Sequence, residues 1–439
     1  MLQPDTRARR FLLALAASAI VAAPASHAST LQSFLSQGTY NGYLRDYYFT
    51  RNFTSAAAPF DLKANSFGGM FNYLTPTFGP GFKVGGTFWS AQDLFGLNNG
   101  TGNYGHLETT LAGTQPIQTL GQAYLQYQHH DVLVRAGNQL MNTPWMGPSD
   151  SRMVPATYQG VLADVTVTRG IDLVLAREYR WKSRTSSNFS ETNLYNTNGL
   201  DNIYGGQPNA AVGTQGNNGT AVAGLTYHGH GDIGQAWYYK FYGLTNAVYA
   251  DDAYTFNKAG LGIAPVIGAQ YLHESSGANN MLLSNVNNDT YGAMAGLNFD
   301  HGDTVAVSYD TISTHAGTFK NGGIVSPYSA GYATDPLYTT SMTAGLVEKG
   351  VGDAWKVAGT FYFIQQQMRF IASYARYNTA PNFANTDETD LDVTWFFHGI
   401  LKGLSARNRL GIVQGLNGSD GSPNLGTFYF NRVMLEYDF

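Results

Sequence analysis

Phe428-Tyr429-Phe430-Asn431-Arg432-Val433-Met434-Leu435-Glu436-Tyr437-Asp438-Phe439 closes the chain, and its two-residue period decides the fold. Successive side chains of a strand point to opposite faces. Tyr429, Val433, Leu435, Tyr437 and Phe439 therefore share one face, and Phe430, Arg432, Met434, Glu436 and Asp438 share the other. An apolar face backed by one that gathers ionisable groups suits a strand set between lipid and a wet interior. The pattern recurs in 387–398, where Leu391, Val393, Trp395 and Phe397 oppose Asp390, Asp392 and Thr394. It recurs again in 131–138, where Val132, Val134 and Ala136 oppose Asp131 and Arg135.

Composition agrees with that reading. Only 13% of the 439 residues are charged, about half the roughly 25% of soluble globular chains, while aromatics reach 14% and glycine fills 51 positions. The absence of cysteine removes disulfides, thiolate zinc sites and cysteine nucleophiles. A net charge of -5 with no polybasic tract gives nucleic acid no footprint. Arg7, Arg9 and Arg10 precede an apolar run from Phe11 to Ala23, and Ser26-His27-Ala28 offers small residues at a cleavage point, so 1–28 reads as an export signal and 29–439 as one barrel domain. Beyond it no stretch approaches the ~18 consecutive apolar residues of a membrane helix.

Counting alternating segments gives nineteen, among them 40–48, 66–75, 120–128, 260–271, 290–299 and 341–347. A single-chain bacterial barrel with both termini on one side needs an even number. Short turns such as His129-His130, Arg169-Gly170 and His228-Gly229-His230-Gly231 alternate with long Asn/Gly/Ser/Thr-rich loops, and only removal of 341–347 keeps that alternation regular. The expected fold is an all-β transmembrane antiparallel barrel of about eighteen strands, with 312–352 as one long outer loop. A barrel of that size leaves an aqueous channel unless loops narrow it. Tyr40, Tyr48, Trp89, Trp181, Tyr238 and Trp395, near strand ends, are expected in the aromatic girdles at headgroup level.

Three segments carry a family likeness: Leu44-Arg45-Asp46-Tyr47-Tyr48-Phe49; the run Asn142-Thr143-Pro144 through Gly147-Pro148-Ser149-Asp150-Ser151-Arg152-Met153-Val154-Pro155; and Glu388-Thr389-Asp390-Leu391-Asp392 followed by Leu401-Lys402-Gly403-Leu404-Ser405. Together they resemble the porin D (OprD-like) family of substrate-selective outer-membrane channels. The resemblance implies an eighteen-stranded barrel, an inward-folded third outer loop that makes the narrowest point, and basic residues up one wall that guide carboxylates. By order along the chain the third outer loop is 139–156, so Ser149, Asp150, Ser151 and Arg152 are the candidate constriction. An ordinary Asx-type turn with an internal ion pair is the alternative reading of those four.

Alternation places Arg45, Arg135, Lys240, Arg369, Arg407, Arg409 and Arg432 on the lumen face. Such a row could hand a carboxylate along by bidentate hydrogen bonds, or could merely pair with Glu388, Asp390, Asp392, Glu436 and Asp438 to knit the wall. The expected solutes are small anions or zwitterions such as carboxylates or amino acids, in a monomer or trimer held in outer-membrane lipid. The terminal Phe439 resembles the signal read by barrel-assembly machinery. No enzyme activity, cofactor or metal is expected: the His228/His230 and His129/His130 pairs lack further ligands at ordinary spacing, and no Gly-x-Ser-x-Gly elbow occurs. A barrel hydrolase and a channel for hydrophobic solutes are the alternative functions; loops 180–219 and 272–289 match nothing in the family pattern, and the sequence assigns no role to these two or to 312–352.

Overall fold

A computed structural model describes residues 31–439 except 56–60, 94–115, Asp150, 196–215, 259–261, Leu283, 330–333, Ala344, 380–384 and 416–425; the export segment thus lies outside the described residues. Eighteen strands follow one another along the chain: β1 (Thr39–Phe53), β2 (Leu62–Leu74), β3 (Phe82–Gln92), β4 (Ile117–His129), β5 (Val132–Gln139), β6 (Thr157–Thr168), β7 (Ile171–Lys182), β8 (Thr220–Gly229), β9 (Asp232–Phe241), β10 (Thr245–Thr255), β11 (Ala264–Ser276), β12 (Asn287–Asn298), β13 (Thr304–Ile312), β14 (Gly352–Phe363), β15 (Met368–Asn378), β16 (Thr386–Phe396), β17 (Leu404–Gln414) and β18 (Phe428–Asp438). Each pairs antiparallel with its sequence neighbours, and β18 pairs with β1, from Tyr43 opposite Asp438 to Phe53 opposite Phe428. The ring is closed, so no strand edge is left unpaired in lipid.

The segment 341–347 is no strand. Met342, Leu346 and Val347 are buried, and Leu346–Lys349 forms one helical turn. Its apolar residues meet the filling of the lumen rather than lipid. Other boundaries move for local reasons. Thr87 lies opposite Gln122 but Phe88 opposite Leu120, so Gly121 is an extra residue that breaks the period of β4 and hides its first residues. β12 begins at Asn287-Asn288-Asp289, which by composition reads as loop. The β8–β9 connection is a two-residue turn, His230-Gly231, with φ of 51° and 93°; positive φ at both positions matches the right-handed twist of the flanking strands.

Outward faces carry Leu44, Tyr48, Phe67, Phe71, Leu120, Leu125, Leu435 and Tyr437, all exposed, and Tyr40 is 69% exposed beside a stacked Phe71. Two of the aromatics expected in the girdles face the other way. Trp89 and Trp181 are buried in the lumen, where the outer loops supply an apolar surface for them to cover.

Candidate functional site

Among the described residues, two outer loops enter the lumen most deeply, and Leu194 and Tyr195 of a third pack against them. Residues 140–156 leave β5 and cross the barrel. On one side Tyr43 and Tyr47 donate to the carbonyls of Met153 (3.5 Å) and Ser151 (3.2 Å), and Arg45 donates to that of Arg152 (3.1 Å). On the other, the Trp145 amide donates to the Tyr239 hydroxyl (3.4 Å) and the Trp145 ring meets Tyr249 edge-on at 6.0 Å. β1 and β10 stand opposite each other in an eighteen-stranded ring, so the loop spans its width. Arg184 Nη1 donates to Ser151 Oγ (2.5 Å) and Ser149 Oγ (3.2 Å), and Lys182 Nζ to the Pro155 carbonyl (2.8 Å).

Residues 313–351 also fold inward, and wall carboxylates hold them. Glu274 accepts from the Val325 amide (2.7 Å), Glu178 from the Tyr328 hydroxyl (3.0 Å), Asp310 from the amide and hydroxyl of Thr339 (both 2.7 Å), Asp390 from the Met342 amide (3.0 Å) and Glu388 from the Thr343 amide (2.7 Å). A charged acceptor roughly doubles the strength of such a bond. Of Glu388 and Asp390, the acids nearest the lumen arginines, one oxygen each is thereby held by the loop. Within the loop, burial pushes the Glu348 carboxyl up to about 8 and that of Asp335 up to about 6.

The strand register then sorts the arginines into rows. Arg45 lies opposite Glu436; two residues further along, Tyr47, Met434, Arg407, Thr394 and Arg369 align; two further, Phe49, Arg432, Arg409 and Asp392 align; and two further, Arg51 lies opposite Phe430. Rows two residues apart are separated by about 6.8 Å. Arg45 pairs with Glu436 (2.5 Å), and Asp392 serves both Arg407 (2.5 Å) and Arg409 (3.0 Å). Arg432 has 0% exposure, and its three guanidinium nitrogens have no hydrogen-bond partner among the described residues; its contact is the Phe430 ring at 4.7 Å. Met153 and Val154 of one loop and Met342 of the other join Tyr47, Phe49, Phe428 and Phe430 in one apolar cluster against this wall.

The family model of outer-membrane porins of the OprD family matches residues 32–330. The chain belongs to the OprD family. As an OprD-family porin it shares the fold of solved structures: OccK9 (OpdG) of Pseudomonas aeruginosa (15% identity, 92% of this chain and 99% of that chain covered, TM-score 0.74), a BenF-like porin of Pseudomonas fluorescens Pf-5 (16%, 92% and 99%, 0.73) and Pseudomonas aeruginosa OpdK with vanillate (14%, 92% and 99%, 0.69). No curated protein matches the sequence. Members of the family are outer-membrane channels, and the eighteen strands expected from parity are the eighteen observed.

Within this OprD-family porin the residues expected at the site fall into three groups. Ser149, Ser151 and Arg152 sit on the crossing loop, and Asp150 lies outside the described residues. Arg45, Arg369, Arg407, Arg409 and Arg432 converge on the β15–β18 and β1 wall, whereas Arg135, on β5, binds Gln126 (2.8 Å) and stacks on Tyr124 at 5.1 Å in a different sector. Lys240 is a correction: it does not face the lumen. It shares a face with exposed Tyr238 and lies opposite Ala221 and Asn246, while Trp237, Tyr239 and Phe241 point inward. The aromatics of β9 line the lumen, so apolarity alone misleads about its side. Arg51, Lys182 and Arg184 escaped the sequence reading. Arg51 continues the period of Arg45 beyond the point where β1 was expected to end; a bulge shifts Lys182, since Gln159 pairs with Arg180 but Gly160 with Glu178.

Proposed function

We propose that this porin passes small carboxylates, selected where the inward loops press against the arginine rows of β15–β18 and β1. The observation that carries the reading is the arginine wall itself: Arg407 and Arg409 are part-exposed, and beside them Arg432 is a buried guanidinium with no hydrogen-bond partner among the described residues, reached when the inward loops part from the wall. An unsatisfied buried charge is costly, and a passing carboxylate offers two oxygens in the geometry a guanidinium fork accepts. The apolar cluster of Met153, Val154, Met342, Phe49 and Phe430 favours acids with an apolar or aromatic body. Pseudomonas aeruginosa OpdK, which shares the fold, was solved with vanillate, an aromatic carboxylate. The four constriction residues act here mainly through Arg152 and the loop backbone, with Ser149 and Ser151 held by Arg184.

Phe439, half exposed and bonded through its backbone to Gly42, is suited to recognition by barrel-assembly machinery. The test is uptake into protein-loaded vesicles of benzoate against a neutral sugar of like size. Benzoate is expected to enter faster; equal rates refute the carboxylate reading and leave the barrel standing.

A further inference from the structure

On the outer rim, the connection between β9 and β10 is only residues 242–244, whereas the loops on either side, 183–219 and 277–286, are long. Beside this short connection lies a notch of 500 Å³ lined by Asn217, Asn218, Lys240, Tyr242, Asn246 and Asn279 among others. Lys240 and Asn246 belong to the outward face, so the notch adjoins the lipid side of the wall at the end of the strands. No Asp or Glu lines it among the described residues. Glu191, which lies beside Gly216 at its edge, is engaged by Arg180 (3.2 Å).

Lys240 lines the notch, and Arg177, which does not line it, shares the Tyr242 ring with it. Lys240 Nζ lies 5.1 Å and the Arg177 guanidinium 4.6 Å from the centre of the same Tyr242 ring, and Arg177 is also 4.4 Å from Tyr179. Arg177 donates to the carbonyls of Asn218 (2.5 Å) and Thr220 (3.2 Å). Neither cation has an ion-pair partner among the described residues; Glu178, next to Arg177, points inward to Tyr328. Cation–π contact offsets part of the repulsion between two like charges, but an anion beside them offsets more. Four asparagines and a phenol around the same space are donors and acceptors of the kind that bind sugar hydroxyls.

We propose that this notch binds the phosphorylated sugar headgroup of an outer-leaflet glycolipid, with Lys240 on the phosphate, Arg177 adding positive charge across the Tyr242 ring, and Asn218, Asn246 and Asn279 around the sugar. The proposal relies on the membrane orientation of the porin reading but not on its solute. Aromatic rings at headgroup level and basic pockets beside a spanning wall are the ordinary elements of lipid headgroup recognition.

The test uses the full-length porin in detergent, titrated with bisphosphorylated lipid A, with the same lipid after enzymatic dephosphorylation, and with inorganic phosphate, read by native mass spectrometry. The bisphosphorylated lipid is expected to stay bound. Lys240→Gln and Arg177→Gln are each expected to weaken it roughly ten-fold, the loss of one positive charge, and Lys240→Arg to retain it. Lys63→Gln, on the outward face of β2, serves as a rim control with no effect. Equal binding of the dephosphorylated lipid, equal competition by inorganic phosphate, or undiminished binding in both Gln variants would overturn the proposal. Single-channel conductance of the same variants, expected unchanged, establishes that they fold and keeps a failure here separate from a failure of the carboxylate reading.

Discussion

Arg432→Met separates the arginine's role in transport from any role in holding the wall together. The guanidinium is fully buried, makes no hydrogen bond among the described residues and stands next to Arg409 in the same register row. Burying a charge costs several kcal/mol after relaxation, and the Phe430 face returns about 1–2 kcal/mol of that. Methionine fills similar volume without the charge. The variant is therefore expected to be more stable by about 2 kcal/mol, while a carboxylate in transit loses one charge-assisted contact of about 1.5–3 kcal/mol. Arg407 and Arg409 remain beside the path but are tied to Asp392, so roughly a ten-fold fall in benzoate uptake is expected, the lower end of that range. Reversal potentials in a salt gradient should shift toward cation preference. Urea unfolding of the detergent-solubilised barrel, read by its β-sheet circular dichroism, reports stability. A variant that unfolds more readily than the parent and keeps the parent's anion preference would refute the reasoning and make Arg432 a structural residue.

Three further outcomes follow from the same geometry. Asp392→Asn frees Arg407 and Arg409 of their shared carboxylate, so anion preference in reversal-potential measurements should rise; no change would mean that these arginines lie off the path. Because burial raises Asp335 to about 6 and Glu348 to about 8, the loop's stability from these groups is fully present below their unfolded values near 4 and is lost as pH rises through 6 to 8. Current noise from loop 313–351 should accordingly be lower at pH 4.5 than at pH 8.5, with Asp335→Asn reducing the difference. Glu388→Gln removes charge from the acceptor of the Thr343 amide, and with Asp310→Asn should cost the loop about 1–3 kcal/mol of anchoring, read as more frequent transitions to higher conductance states.

The barrel was legible because its cause is local. Side-chain direction alternates within each strand whatever the strand packs against, so Tyr429 through Phe439 declare lipid on one side, and the charge of Arg432 declares lumen on the other. Charge parity puts Arg45, Arg369, Arg407, Arg409 and Arg432 on one face, and the strand register sets them on one wall. It failed for Lys240, because the lumen side of β9 is as aromatic as its lipid side. It did not reach Lys182 or the first residues of β4, where single extra residues shift the period.

Which lumen charges stay available to a solute was beyond any strand's own sequence. Glu388 and Asp390 look like natural partners for the nearby arginines, yet a loop 45 to 48 residues upstream takes one oxygen of each through a backbone amide. Residues 341–347, which read as strand by composition, are that loop's contact surface. Sequence alone determined the closed barrel, its strand parity and most of its inward charges, since these follow from a period of two. The long inward loop, the pairing of the acids and the isolation of Arg432 are contacts between residues far apart in the chain, and they exist only once the barrel has closed around them.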